Sequence, residues 1–354
     1  MDYLYSKNKL LKHISILDRI KKKKDVIPIL ARIDVTNSCN QQCVYCMYRK
    51  SLMQFGLCDS FSCKDFIKKK DLLNLILKLK FIGVKAIMFT GGGEPTIYPQ
   101  FKEVVNFAVR NRLEVGIITN GARLDKSWLN LLKNNKLKWI RISLDASNQD
   151  TWNRVHRPLY GNSFNKIIKL VKFLKSSRIK TQIGASFVIN DLNWKEILNF
   201  VKLCKNYNFD SSRISFAYTS KKEKLYNKYR NEIDSMLNKA SKFSSEKFHV
   251  NILKERLESL ESHKKNYNKC FFPFFSISIG ADFRLYPCCM TKYSKKFFIA
   301  DLRYNKIDKN FIQKFNKHIR DLKIKKCPIC WYDNFNKSCN YYCSKKVDFE
   351  NFIN

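Results

Sequence analysis

Three cysteines lie close together near the start of the chain, in the segment TNSCNQQCVYCMY at residues 36–48. Cys39, Cys43 and Cys46 form the pattern C-x3-C-x2-C directly after a predicted strand. Three thiolates can hold three irons of a [4Fe–4S] cube and leave the fourth iron open to another ligand. A zinc site or a chance grouping of cysteines is compatible with the same spacing.

A second group of cysteines lies near the end of the chain, spaced C-x17-C and then C-x2-C-x8-C-x3-C. Its members are Cys270, Cys288, Cys327, Cys330, Cys339 and Cys343. Paired C-x2-C thiolates bind either zinc or an iron–sulfur cluster, so the spacing leaves both open. Thirteen cysteines without an export signal are hard to reconcile with disulfides, because the cytosol keeps thiols reduced. We therefore expect metal or cluster ligation in a cytoplasmic protein.

The composition fits a globular protein with a large core, because 45% of the 354 residues are hydrophobic. No run of 18 apolar residues predicts a membrane segment. The formal net charge of +38 would attract nucleic acid, acidic lipid or an anionic substrate. A solvated lysine-rich surface without a dedicated partner explains this charge as well.

Strand and helix patterns alternate strictly from residue 29 onward. Predicted strands occupy residues 29–36, 86–90, 114–119, 139–144, 180–189 and 213–218, and predicted helices occupy 64–82, 101–112, 127–134, 163–177 and 193–207. Such alternation implies right-handed crossovers and a parallel sheet, whose ligands bind at the carboxyl ends of the strands. The six units predict an α/β fold, a partial (β/α)6 barrel.

The chain divides into five predicted segments. They are an amphipathic N-terminal extension (1–28), the barrel (29–220), a charged helical bridge (221–265), a small cysteine-rich domain (266–345) and a tail (346–354). The apolar residues of the first segment recur at helical spacing, so we expect it to pack on the barrel. A basic amphipathic helix on a membrane surface is the alternative.

Two further motifs follow the predicted strands. The turn Thr90-Gly91-Gly92-Gly93-Glu94-Pro95 ends the second strand, where glycine backbone can approach a ligand closely or form a plain βα turn. The fourth strand carries Ser143 and Asp145, which point the same way at a period of two and can face the barrel interior. A buried capping role is the alternative for either side chain.

Together these motifs resemble the radical S-adenosylmethionine (SAM) superfamily. The resemblance implies that Cys39, Cys43 and Cys46 hold a [4Fe–4S] cluster whose open iron binds SAM. It implies that SAM is cleaved reductively to a 5′-deoxyadenosyl radical, which removes a hydrogen atom from the substrate. It also implies cofactor-binding residues around SAM. They are Tyr45 beside the adenine, Gly92, Gly93 and Glu94 near the amino group, and Ser143 and Asp145 near the ribose or carboxylate.

The distal cysteines resemble the SPASM or twitch extension of such enzymes, which binds auxiliary [4Fe–4S] clusters. Cys270, Cys288, Cys327 and Cys330 match a single auxiliary cluster best. Cys339 and Cys343 remain candidates for a partial second site, because the gap before Cys339 is unusually long and no cysteine follows Cys343. An auxiliary cluster implies that the substrate radical loses an electron to it, a net oxidation.

The resemblance leaves the substrate open between a small molecule and a ribosomally made peptide. Only about thirty residues precede the first strand, which favours a small molecule or a peptide delivered without a fused leader-binding module. A reducing donor such as flavodoxin or ferredoxin is implied. An RNA-modifying radical SAM enzyme is the alternative. A zinc-stabilised nucleic-acid binder is less favoured, because it leaves the GGGEP and ISLD segments unexplained.

No catalytic base is assigned from the sequence. Asp282 lies near the distal cysteines and either takes a proton or caps a turn. Cys204, Cys58 and Cys63 are interpreted as structural thiols. His156 is expected to contribute to loop structure rather than to catalysis.

Overall fold

A computed structural model of the chain describes residues 7–48, 57–161, 163–217, 222–254, 265, 267–324, 327 and 330–344. Its strands are β1 (Leu30–Asp34), β2 (Ala86–Thr90), β3 (Glu114–Thr119), β4 (Leu137–Ser143), β5 (Gln182–Ile189), β6 (Ser211–Phe216), β7 (His249–Ile252), β8 (Ser276–Ile279), β9 (Arg284–Tyr286) and β10 (Ala300–Asp301). They form one sheet in the order β10-β9-β8-β1-β2-β3-β4-β5-β6-β7.

Helices connect the parallel strands and cover the sheet. They are α1 (Ile14–Lys21), α2 (Lys69–Ile82), α3 (Phe101–Arg110), α4 (Leu129–Leu132), α5 (Gln149–His156), α6 (Phe164–Ser176), α7 (Ile197–Asn206), α8 (Lys222–Lys228), α9 (Arg230–Ser241), α10 (Lys309–Arg320) and α11 (Asp333–Cys343). None of these described helices is long and apolar enough to cross a membrane.

The six predicted barrel strands are β1 to β6, which pair in parallel and in sequence order. This confirms the α/β class and the partial barrel. The sheet ends at β7 and β10, so in the described residues it stays open. All carboxyl ends of β1 to β6 therefore meet at one edge, where the sequence predicted ligand binding.

Two parallel strands extend the sheet beyond the prediction. β7 pairs with β6 within the segment predicted as a helical bridge. Sequence patterning missed β7 because only four residues form it and charged helical residues precede it. β8 pairs in parallel with β1, with Leu30 opposite Ser276. The cysteine-rich segment therefore continues the barrel sheet across the boundary predicted at residue 266.

The N-terminal helix α1 contacts the C-terminal helix α11. The sequence predicted only that this helix packs on the barrel. The Tyr342 hydroxyl of α11 donates to Asp18 Oδ1 of α1 at 2.8 Å. The side chain of Asn316 on α10 bonds both the backbone N–H and the C=O of Val26, each at 2.9 Å. These buried bonds satisfy backbone groups that would otherwise lose water without compensation. These bonds thus fix α1 and Val26 to the helices α11 and α10.

Candidate active site

The three-cysteine loop leaves β1 and opens onto a cavity of about 540 Å³ at the carboxyl ends of the strands. Cys39, Cys43 and Cys46 all line this cavity, which we call the barrel cavity. Burial raises the pKa of the Cys43 thiol well above its ordinary value, and the neighbouring Cys46 and Cys39 raise it further. The three thiols are therefore close enough to influence one another electrostatically.

The three thiols of this loop fit a [4Fe–4S] cluster. Cys39, Cys43 and Cys46 line one cavity, and each thiolate would bind a different iron of the cube and leave the fourth iron open to another ligand.

His156 contacts the middle cysteine of the loop. It ends α5 and is fully buried, with Nδ1 3.4 Å from Cys43 Sγ and 2.9 Å from Gln41 Oε1. Its Nε2 lies 3.1 Å from the Leu144 carbonyl oxygen after β4. His156 thus connects the cysteine loop to the end of β4, which is more than the loop role predicted from the sequence. The hydrophobic spacing of α5 is the signal that could have placed it on a helix.

Tyr45 lines the barrel cavity, and its hydroxyl donates to Asp145 Oδ2. Asp145 Oδ1 accepts the backbone N–H of Val188 at 2.6 Å. Asp145 is fully buried and is not among the residues that line the cavity. Its carboxylate therefore holds the Tyr45 ring through the hydroxyl. The placement of Asp145 near the ribose or carboxylate of SAM stays a prediction. Burial and the Asp145 charge both raise the pKa of Tyr45.

The glycine turn packs against the cysteine loop at very short range. A Cβ on Gly93 would stand 1.9 Å from the Ser38 carbonyl oxygen, and a Cβ on Gly92 would stand 2.4 Å from Asn37 Oδ1. Only glycine fits at these two positions. The Glu94 backbone N–H donates to the Ser38 oxygen at 2.8 Å, which ties the turn to the loop. Gly92, Gly93 and Glu94 all line the barrel cavity, and their contact with the amino group of SAM stays a prediction.

The carboxylate of Glu94 is bound by neighbouring protein groups. It accepts the Thr119 hydroxyl at 2.6 Å, the Asn120 backbone N–H at 2.6 Å and the Thr96 backbone N–H at 2.9 Å. Burial raises its pKa, and these hydrogen bonds oppose the rise. The turn therefore offers backbone groups to a ligand. Ser143, at the end of β4, also lines the cavity and completes this wall.

Four distal cysteines line a second, small cavity of about 30 Å³, which we call the distal cavity. They are Cys270, Cys288, Cys327 and Cys330. Burial raises the pKa of Cys270, and the charges of the other three thiols raise it further. The resemblance assigned these same four cysteines to a single auxiliary cluster. Four thiolates around one cavity are the ligand set that a [4Fe–4S] cluster takes.

Cys339 and Cys343 lie apart from this foursome. Both are on α11, and neither lines the distal cavity. Cys339 is fully buried in the hydrophobic core, and Cys343 Sγ approaches the Leu17 carbonyl oxygen of α1 at 3.9 Å. Of the six distal cysteines predicted as ligands, the structure therefore brings four together and separates two.

Tyr332 forms the wall between the two cavities. It lines both of them, and its ring stacks on Phe272 with centroids 3.4 Å apart. Its hydroxyl lies 3.1 Å from Cys289 Sγ. Cys289 lines the barrel cavity while its neighbour Cys288 lines the distal cavity. The two cavities are thus adjacent, which the linear sequence did not reveal.

The remaining candidates have structural contacts. Asp282 accepts the Tyr286 hydroxyl at 2.6 Å and the Arg284 N–H at 3.3 Å, so it caps the turn between β8 and β9. Cys204 is fully buried on α7, and Cys58 is fully buried beneath Lys292. None of these three candidates lines either cavity.

Sequence comparisons with known proteins place residues of this chain in a known family model and identify similar proteins. Residues 33–204 match the radical SAM superfamily model. The GTP 3′,8-cyclase of Clostridium botulinum is 26% identical over 196 residues, covering 55% of this chain and 58% of the relative. A tungsten-containing aldehyde ferredoxin oxidoreductase cofactor-modifying protein of Pyrococcus furiosus is 28% identical over 193 residues, covering 52% of this chain and 50% of the relative. The chain thus spans less than two thirds of the length of these relatives.

Solved structures resemble the fold over most of the chain. SuiB of Streptococcus suis superposes with a TM-score of 0.65 at 16% identity, covering 94% of this chain and 81% of SuiB. The protein anSMEcpe with bound AdoMet superposes with a TM-score of 0.59 at 18% identity, covering 89% of this chain and 94% of the other. Residues 33–204, which match the family model, are therefore a radical SAM domain.

Proposed function

We propose that the chain is an enzyme that cleaves SAM reductively, removes a hydrogen atom from its substrate and oxidises that substrate with the help of an auxiliary cluster. The observation that carries the proposal is the single cavity lined by the three loop cysteines, the glycine turn, Tyr45 and Ser143. When bound, the [4Fe–4S] cluster and SAM supply a 5′-deoxyadenosyl radical as the hydrogen-abstracting species.

The protein's own part is to bind and orient the reactants and to exclude water. Cys39, Cys43 and Cys46 would hold the cluster. Backbone groups of Gly92 to Glu94 and the Ser143 hydroxyl would bind the polar end of SAM. The Tyr45 ring would lie against the adenine, and Asp145 would hold the ring in place through the Tyr45 hydroxyl.

The four cysteines of the distal cavity support the proposed oxidation of the substrate. Cys270, Cys288, Cys327 and Cys330 would hold one auxiliary [4Fe–4S] cluster, a group that accepts single electrons. Among the described residues, Tyr332 lines both that cavity and the barrel cavity, and the adjacent Cys288 and Cys289 line one each. An electron leaving the substrate would therefore have a short way to travel. A donor such as flavodoxin or ferredoxin would supply the electron for SAM cleavage.

The substrate class is proposed from the relatives. SuiB has been solved with its precursor peptide SuiA, and several curated relatives are GTP 3′,8-cyclases. These favour modification of a peptide or oxidation of a small molecule. The net charge of +38 keeps an RNA substrate as the second candidate. All thirteen cysteines are free thiols, which suits a reducing compartment such as the cytoplasm.

The test is anaerobic reconstitution followed by reduction with dithionite in the presence of SAM. We expect about eight irons per chain, for two clusters, and formation of 5′-deoxyadenosine. Replacing Cys39, Cys43 and Cys46 by Ala should remove about four irons and abolish 5′-deoxyadenosine. The matched control is Cys63→Ala, because Cys63 is exposed and lines neither cavity. A colourless zinc protein that leaves SAM intact would overturn the proposal.

A further inference from the structure

Lys265 lies in the wall of the distal cavity, beside the four cysteines of the proposed auxiliary cluster. Its ammonium donates to the backbone carbonyl oxygen of Cys327, and to that of Ile324 at 3.2 Å. No carboxylate of the described residues forms an ion pair with it. Burial raises the pKa of Cys327 to about 11, and the charge of Lys265 opposes this rise. The Lys265 charge therefore acts on a distal thiol.

A second cation, Arg32 on β1, faces the same cysteines from the barrel cavity. Its guanidinium carbon lies 5.4 Å from the ring centroid of Phe272 and 5.5 Å from that of Tyr332, and these two rings line the distal cavity. Its Nη1 donates to Cys289 Sγ at 3.7 Å. Burial lowers the pKa of Arg32, and the neighbouring Tyr332, Cys289 and Cys288 more than offset this. Arg32 therefore keeps its charge next to the distal thiols.

Hydrogen-bond donors also lie against two of the distal sulfurs. Cys330 Sγ accepts the Tyr332 backbone N–H at 3.4 Å and the Asn336 side-chain amide at 3.6 Å. The Thr291 hydroxyl lies 3.6 Å from Cys288 Sγ. These neutral groups add to the effect of the two cations, because they too place positive dipole ends at the sulfurs.

The remaining charges that act on these thiols belong to one carboxylate and one exposed lysine of the described residues. Burial raises the pKa of Cys330, and the charge of Asp333 adds to that rise. Asp333 has its own cation, since Lys337 Nζ lies 2.7 Å from its carboxylate. Lys296 is exposed, and its charge opposes the rise in the pKa of Cys327. The balance of described charge around the distal cavity is therefore positive.

This balance determines which redox state of a bound cluster is favoured. A [4Fe–4S] cube held by four thiolates is an anion, and reduction adds a further negative charge. Nearby cations and hydrogen bonds to sulfur stabilise the reduced state more than the oxidised state, so they raise the reduction potential. A higher potential favours electron transfer from the substrate to the cluster.

We propose that Lys265 and Arg32 raise the reduction potential of the auxiliary cluster and thereby make it the acceptor of the substrate electron. In this step the substrate radical loses one electron to the oxidised cluster and one proton to water, and the cluster is reduced by one electron. Neither side chain has to touch the substrate, so both are positioning residues that act through the cluster. The inference rests on the proposed function, which assigns the auxiliary cluster to these four cysteines.

The experiment is a redox titration of the reconstituted full chain, followed by electron paramagnetic resonance of the reduced cluster. Replacing Cys39, Cys43 and Cys46 by Ala gives a background protein with the auxiliary cluster alone, so one signal is measured. In this background Lys265→Gln should lower the ratio of reduced to oxidised cluster about tenfold at a fixed potential, a shift of about 59 mV to more negative potential. Arg32→Gln should shift the potential in the same direction.

Two matched variants separate charge from structure. Lys265→Arg keeps the positive charge and should retain the potential of the background protein. Lys80→Gln removes an exposed lysine of α2 and should also leave the potential unchanged. If the Gln variants at Lys265 and Arg32 do not take up about four irons, Lys296→Gln takes their place. It should give a smaller shift in the same direction that disappears at high salt, because exposed charges are screened.

An unchanged or more positive potential in both Gln variants would overturn the inference. So would an equal shift in the Lys80 variant, because the total charge of the protein would then set the potential. Iron content and 5′-deoxyadenosine formation of the wild type are measured separately. Absence of an auxiliary cluster contradicts the proposed function, whereas a fully loaded cluster that responds to neither variant contradicts this inference alone.

Discussion

Asp34 and Lys292, 258 residues apart in the sequence, form a fully buried ion pair between β1 and the segment that follows Cys288. Asp34 Oδ2 also accepts the Gly92 backbone N–H at 3.1 Å and the Tyr293 hydroxyl at 2.7 Å. One carboxylate oxygen thus holds both the glycine turn of the barrel cavity and the segment beside the distal cysteines. The relative position of the two cavities depends on this contact.

Lys292→Met should destabilise the protein by about 3–5 kcal/mol, because it leaves the Asp34 charge buried without its cation. The double variant with Asp34→Asn should lose less than the sum of the two single changes, since neither charge then remains alone. Urea denaturation of the reconstituted protein measures both. The control is the half-exposed pair of Lys69 and Glu103, worth about 0–1 kcal/mol. Additive losses at Asp34 and Lys292 would contradict the coupling.

Replacing Cys339 and Cys343 together by Ser should leave the iron content unchanged, because neither side chain lines the distal cavity. Replacing Cys270 and Cys288 should instead remove about four irons per chain. Iron and sulfide quantification of the two double variants compares them directly. A loss of iron from the Cys339 and Cys343 variant would reinstate the second partial site that the sequence spacing predicted.

The barrel and its cysteine loop were predictable because they depend on local patterns. The strands at 86–90 and 114–119 were predicted to the residue, since apolar runs bounded by turns are a short-range signal. The C-x3-C-x2-C loop and the glycine turn are likewise contiguous motifs. The four distal cysteines that the family resemblance grouped together also line one cavity.

The contacts between distant segments were not predictable. The pairing of β8 with β1 and the Asp34–Lys292 ion pair each join residues more than 200 positions apart, and a single sequence carries no signal for such contacts. The side-chain direction of Asp145 was not predictable either, because its partners are distant in the sequence. The period-two pattern placed it on the fourth strand, but β4 ends at Ser143 and Asp145 follows with a φ of 53°, so its side chain does not continue the alternation of the strand. The direction of its carboxylate depends on Tyr45 and Val188.

Tyr45→Ala should weaken SAM binding more than Tyr45→Phe does. Loss of the ring removes a stacking surface for the adenine, worth about 1–3 kcal/mol for a base on an aromatic side chain. Loss of the hydroxyl alone removes the bond to the Asp145 carboxylate, worth about 1.5–3 kcal/mol to the folded protein, and keeps the ring that would contact the adenine. Calorimetric titration of SAM into the reconstituted variants gives both affinities. Equal losses would show that Tyr45 acts through its hydroxyl.

Alkylation should discriminate among the cysteines that hold no cluster. Cys63 is exposed, whereas burial raises the pKa of Cys58 to about 12 and the pKa of Cys204 well above its ordinary value. Because the thiolate is the nucleophile, roughly one Cys58 in ten thousand is reactive at pH 8, and a rise to pH 9 multiplies that fraction about tenfold.

Iodoacetamide at pH 8 should therefore modify Cys63 within minutes and spare Cys58 and Cys204 until the protein unfolds. Digestion and mass spectrometry locate the label at each site. Urea-unfolded protein is the control, because all three thiols should then react alike. Labelling of Cys58 or Cys204 as fast as Cys63 in the native protein would show that those thiols are not held in the buried positions on which their high pKa depends.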